Sequence, residues 1–257
     1  MFPYGDAPPS SSFPKAGTAS RTFPVMSWKT VLKLTLVSAA VGAVWWLGPW
    51  RGIAHPPGVL VTNLPHQAEI SSYALPEIAG WKLKAVAEYE LRGRVLGTKR
   101  YRSGASADLV PVDVAVGWGP MSDTSMIEAL NISMGNRFFF YKWQNEAPLS
   151  EKDIIRNAAN NHVIAANDQV RDVIANLRSG HLVFLRGYLV DATKPEEGNW
   201  QTSRRRDDIG NGACELFYVE TARAYESPYG EFALENPPAS PAVTSSRRTT
   251  APTAVIP

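Results

Sequence analysis

The chain has 257 residues, 44% hydrophobic and 19% charged, a composition that supports a folded core and excludes wholesale disorder. A formal net charge of +2 gives no global basic field, so no nucleic-acid partner is expected. One cysteine, Cys214, excludes an internal disulfide framework; with four histidines and no CxxC or HxxxH pattern, no metal and no cofactor are expected.

Residues 1–29 form a leader rich in Pro, Ser, Gly and Ala, too poor in apolar surface to order alone, and expected to be disordered or partner-bound on the cytoplasmic side. Residues 30–50 are an apolar run interrupted by Lys33 and small polar residues. About 20 such residues suffice for a transmembrane helix. Trp45, Trp46 and Trp50 gather at one end, where indole rings favour the membrane–water interface, and Gly48-Pro49 stops the helix. Val41-Gly42-Ala43 is a possible signal-peptide cut. The length of the leader, and the continuation of the apolar run through Leu47, favour a retained anchor. Lys15, Arg21, Lys29 and Lys33 precede or enter the run, whereas only Arg51 follows it before Lys82. The basic side stays inside, so the expected location is the inner (cytoplasmic) membrane, N-terminus cytoplasmic and C-terminal domain periplasmic.

The prolines and glycines of residues 51–80 predict an extended linker or stalk. From Trp81 the pattern alternates: Trp81, Leu83, Ala85, Ala87, Tyr89, Leu91, Gly93 and Val95 share one face, with Val86 as the exception. That period predicts a long strand, with a bulge or bend at Gly93. LVPVDVAVGWG predicts a second strand, followed by a short helix capped by Ser122 or Asp123. NRFFFYKWQ, residues 136–144, predicts a third. Ser150-Glu151-Lys152-Asp153 opens a helical stretch that takes in Ile154, Ile155, Ala158 and Ala159, broken at Asn160-Asn161-His162. A second helix follows, capped by Asp168, with Val170, Val173, Ile174 and Leu177 inward and Gly180 at its end. HLVFLRGYLVDA and ACELFYVETA predict two further strands. The fold class expected for residues 81–226 is α+β, mainly β: an OB-like five-stranded barrel with a helical segment between strands three and four. A different α+β sheet with the same element order is the main competitor. Residues 227–257 read as a Pro/Ser/Thr-rich tail.

The segments RGRVLGTKRYR, PVDVAVGWGPMSD, ANNHVIAA, HLVFLRGYLV and GACELFYVE resemble a family of uncharacterised bacterial proteins. The resemblance covers roughly half the chain and implies a recurring module, without an activity to carry over.

Candidate functional residues are few, and no catalytic group is assigned. Trp118, between Gly117 and Gly119, reads either as a stacking platform or as the end of a strand turning into a helix; the latter is preferred. His162 offers a titratable imidazole, but a histidine at a helix break more often bonds nearby backbone. Cys214 with His162 would make a nucleophile and base, yet Cys214 opens a strand and reads as a small core residue. Arg204, Arg205 and Arg206, beside Asp207 and Asp208, read either as a hairpin tip with local ion pairs, which is preferred, or as a contact for a partner or ligand; Trp143 and Trp200 are further candidate contacts. DDIGNG lacks the full spacing of a calcium hand, and Asn131-Ile132-Ser133 is a glycosylation sequon by pattern only.

These readings lead to an expected role as a single-pass accessory or scaffold subunit of a larger bacterial membrane complex: energy-transducing, envelope or secretion. Its partners would be other membrane-protein subunits and the lipid bilayer. Two alternatives stand beside it. One is a periplasmic module binding an oligosaccharide, peptide or nucleic acid on sheet aromatics such as Phe138, Phe140, Trp143 and Tyr188. The other is a hydrolase built from His162, Cys214 or Asp113.

Overall fold

The computed structural model describes residues 26–47, 51–104, 106–205, 208, 210 and 212–235, without the side chains of 44–47, 234 and 235. Most of the leader and of the tail, Trp50 and Arg206, and the side chains of Trp45 and Trp46, lie outside the described residues. The chain divides into two units, Met1–Pro49 and Trp50–Pro257.

In the first unit, α1 (Trp28–Leu47) is a 20-residue helix. Its aliphatic side chains do not share a stripe: Val31, Leu32, Leu34, Leu36, Val37 and Val41 are spread around the helix and all are exposed. Among the described residues no helix is long and apolar enough to cross a membrane.

The second unit is mainly β. Its strands are β1 (His66–Ile78), β2 (Trp81–Arg100), β3 (Val112–Gly117), β4 (Ser133–Gly135), β5 (Phe138–Phe140), β6 (Ala158–Ala165), β7 (Leu182–Lys194), β8 (Gly198–Trp200) and β9 (Glu215–Tyr225). Seven of them form one sheet in the order β1-β2-β3-β6-β9-β7-β8, and β2 also pairs with β7. The pairings β2–β3–β6–β9–β7–β2 therefore return to the strand they start from. All are antiparallel except β6–β9, which is parallel.

The length of β2 is made usable by two irregularities. Between Ala85 and Ala87 the register with β7 slips by one residue, leaving Val86 as the extra one. Val86 is the residue that broke the alternation. The slip turns the strand over: Trp81 and Leu83 pack with Leu109, Val190 and Leu216, whereas Val86, Ala87, Tyr89 and Leu91 enter the main core with Phe217 and Leu185. A second slip at Leu96 sends that side chain to a third cluster with Met121, Leu130 and Ile154. Gly93, expected to mark the bulge, instead pairs regularly with Val183. Its missing side chain serves a close approach: a Cβ there would stand 2.3 Å from Cγ1 of Val116.

Three further expectations are corrected. Residues 51–80 are not a free stalk. β1 pairs with β2 as an edge strand, where Pro76 costs no ladder bond. Before it, the chain is strapped down: Ile53 N–H donates to Ser179 O, His55 Nε2 to Gly180 O, Gly58 N–H to Asp123 Oδ1, and Leu60 and Val61 N–H to Ser122 Oγ. The third strand of the ring is β6, read as helix and interruption, rather than residues 136–144. β6 lies between β3 and β9, so it is covered at both edges and shows no clean alternation. Residues 133–140 form only the small β4–β5 hairpin. Beyond residue 227, α5 (Glu231–Glu235) is present and Phe232 is buried against Tyr225.

The remaining helices follow their caps. α2 (Thr124–Ala129) is capped by Asp123, and α3 (Glu151–Arg156) by Ser150, whose hydroxyl also donates to Asp153 Oδ2 at 2.6 Å. α4 (Asp168–Ala175) takes its cap one residue early, from Asn167, and buries Val170 and Ile174.

Candidate functional site

Two apolar strands each carry polar residues in the middle. On β3 it is Asp113; on β6 they are Asn160, Asn161 and His162. The antiparallel register sets Asp113 opposite His162 and Ala115 opposite Asn160. Asp113, Asn161 and His162 are almost wholly buried, and Asn160 nearly so. His162 Nδ1–H donates to Asp113 Oδ1 at 2.8 Å.

The charge that balances Asp113 comes from the β4–β5 hairpin. Its two turn residues, Asn136 and Arg137, have φ of 50° and 68°, the left-handed pair of a two-residue hairpin turn. That conformation is costly for arginine, and a dense set of bonds holds it there. Arg137 Nη1 donates to Asp113 Oδ1 at 3.0 Å and to Val110 O at 2.9 Å. Its guanidinium lies 3.8 Å from the ring centre of Tyr101, whose hydroxyl accepts from the Arg137 backbone N–H. Its carbonyl accepts from Asn160 Nδ2 at 2.9 Å, and Cys214 Sγ approaches it at 3.7 Å. Trp200 closes the cluster, with its ring 4.8 Å from that of His162. The result is an ionic knot that fastens the hairpin onto the outer face of β3 and β6.

Beside the knot lies a cavity of about 250 Å³ between the hairpin, α3 and the start of β9. Trp118, Phe138, Phe139 and Tyr141 supply aromatic walls, and Asn160, Cys214 and Glu215 polar ones.

The sequence candidates are thus dispersed in instructive ways. Trp118 is buried at the end of β3, while Trp143 is exposed and stacks on Tyr141. Trp200 packs on His162. Arg204 lies 3.7 Å from both Glu69 and Asp191, whereas Arg205 lines the cavity. The four aromatics proposed for one exposed sheet face do not share one: Phe138, Phe140 and Trp143 belong to the hairpin and the chain after it, and Tyr188 on β7 packs edge-on against Tyr73 of β1. Arg137 and Asn160 were missed. The signal for them was the lone carboxylate in an apolar strand, which demands a buried partner.

The thiol of Cys214 is pushed up to about 11, chiefly by burial, with Glu215, Asp113 and Asp208 adding to the effect and the Asn160 hydrogen bond opposing it. That is the opposite of the lowered value of an activated nucleophile. As it is the chain's one cysteine, labelling is unambiguous. Alkylation by iodoacetamide at pH 8 is expected to run about a hundredfold slower in the native chain than in urea, and to accelerate as pH rises towards 11. Equal rates in both states, followed by intact mass, would refute this.

No family model, no curated protein and no solved structure matches the chain.

Proposed function

We propose that the chain is a single-pass, membrane-anchored accessory or scaffold subunit of a larger bacterial membrane complex. α1 is the anchor, and an OB-like five-stranded barrel stands on the periplasmic side. The observation that carries this reading is the set of exposed aliphatic side chains of α1, which it presents alongside Lys29 and Lys33. Six exposed aliphatic side chains represent on the order of 10 kcal/mol of unrealised burial. Exposed aliphatic side chains in this number fit lipid or other membrane helices better than water, with Lys29 and Lys33 near the cytoplasmic end able to reach the headgroups. Gly42, with nothing within 4 Å of its Cβ position, leaves room for close helix approach.

The barrel reading is supported by the closed circuit β2–β3–β6–β9–β7, by the parallel β6–β9 pair, and by α4 between β6 and β7. OB-folds bind oligomeric ligands on the face of their second and third strands. Here those strands are β3 and β6, and the Arg137 hairpin occupies their outer face. That arrangement favours a structural role over an open oligomer-binding groove.

The test is topology together with company. After fractionation of native cells the full-length chain should resist alkaline carbonate extraction. Protease added to spheroplasts should remove the barrel, and mild-detergent purification should return fixed-stoichiometry partners. A chain released by carbonate, or a monodisperse lone protein, would defeat the proposal.

A further inference from the structure

The strap that precedes β1 is held down in part by the turn that leads into β7, and two buried histidines flank that junction. His55, on the strap, donates from Nε2 to Gly180 O at 2.7 Å. His181, next to Gly180 in the turn, accepts at Nδ1 from the Arg178 N–H at 3.1 Å. They are 7% and 8% exposed.

The partner of His181 fixes its protonation. A backbone N–H only donates, so Nδ1 presents a lone pair and the proton of the neutral ring sits on Nε2. A second proton, at Nδ1, meets the Arg178 N–H head-on and leaves that N–H without its acceptor. The surroundings resist the charge as well. Burial, then the Arg178 guanidinium, and to a lesser extent His55, hold the His181 pKa below its ordinary value, against the pull of Glu226. Glu226 Oε1 is 3.9 Å from His181 Nε2, but it is mostly exposed and already paired with Arg178 at 2.6 Å. On the strap side, Thr124 Oγ1 donates to His55 O and accepts from the buried Arg94. Asp123 Oδ1 there is taken by the N–H groups of Gly58 and Ser125. Glu226 and Asp123 are thus both committed before any imidazolium forms.

Backbone packing couples the turn to the strap. Ile53 N–H donates to Ser179 O at 2.8 Å, and a Cβ on Gly180 would stand 2.0 Å from Ile53 O. A turn seated that closely cannot shift without displacing Ile53.

We propose that this junction is an acid-opened latch: protonation of His181, beside His55 and Arg178, breaks the turn and frees residues 51–55 from it. The device goes beyond the scaffold reading and does not depend on it. In the opened state His181 is solvated and its pKa returns towards about 6.5. The closed-state value is lower, so the open state takes up the proton first. The latch is therefore at full strength above about pH 6.5 and weakens as pH falls towards the closed-state value. Within that window the opened fraction rises by up to about tenfold per pH unit for each proton bound. The freed residues add up to about 17 Å of extended reach before the next fastening, at Gly58.

The experiment is hydrogen–deuterium exchange on the full chain in detergent micelles, at about pH 7.5 and about pH 5, corrected for the intrinsic pH dependence of exchange. On acidification the protection of the Ile53 amide should fall at least about threefold more than that of Leu91, in the β2–β7 pairing. His181→Asn keeps an acceptor oxygen for the Arg178 N–H but cannot take up a proton, and should abolish the difference. Circular dichroism first establishes that this variant folds. A second measurement on the parent stands whether it does or not: by carbon-13 NMR the His181 ring should titrate below about 6.5. The proposal is overturned if Ile53 loses no more protection than Leu91, if folded His181→Asn keeps the parent's response, or if His181 titrates at or above about 6.5.

Discussion

Replacing Arg137 by methionine is expected to destabilise the Trp50–Pro257 unit by about 3 kcal/mol, a fall in melting temperature of roughly 6–12 °C. Methionine fills much of the same volume but withdraws the cation from Asp113, whose side chain is about 1% exposed. The carboxylate keeps only its bond to His162, and its other oxygen already has no partner among the described residues. The hairpin turn loses the contacts that hold Arg137 in a left-handed conformation. Asp113→Asn added to Arg137→Met should cost clearly less than the sum of the two single changes, because the stranded charge goes with its partner. Thermal unfolding of the four proteins measures this cycle. Additive effects, or an Arg137→Met protein within about 0.5 kcal/mol of the parent, would show that the knot is ornamental.

Gly187→Ala should be at least as damaging, about 3 kcal/mol in urea denaturation. Gly187 sits where the β7–β9 register shifts, opposite Tyr89 on β2. A Cβ there would fall 2.0 Å from the carbonyl oxygen of Tyr218 and 3.1 Å from the amide nitrogen of Glu220. Both atoms are backbone, so a whole strand must move to make room. Gly135→Ala, with nothing within 4 Å of the new methyl, is the control and should stay within about 0.5 kcal/mol of the parent. Equal midpoints for Gly187→Ala and its control would contradict the packing described for β7 and β9.

What could be read from the residues depended on whether each element was solvated on one side. β2 was legible because most of its length alternates between buried and wet positions; its bulge was expected at Gly93, although the out-of-step Val86 was its signal. β6 was not legible. Buried through Asn160–Ile164 and paired on both edges, it has no wet face to set a period, and its asparagines imitate a helix break. β1 was hidden by Pro76 and by its exposure, both permitted only because it is an edge. Asp113 and His162 were each noticed as lone polar residues, but their meeting is a matter of strand register, which local pattern does not encode. Arg137 sits in a hairpin turn, far in sequence from everything it binds.

The circuit of strands also has a temporal side. β2 is the first member of the circuit to leave the ribosome, yet its longest partner there, β7, follows roughly a hundred residues later. The circuit is completed only by β9, whose parallel alignment with β6 allows no hairpin shortcut. Contact order is therefore high, assembly is slow, and Tyr89 and Leu91 wait uncovered on the nascent chain. Any truncation before β9 leaves an unclosed, aggregation-prone edge.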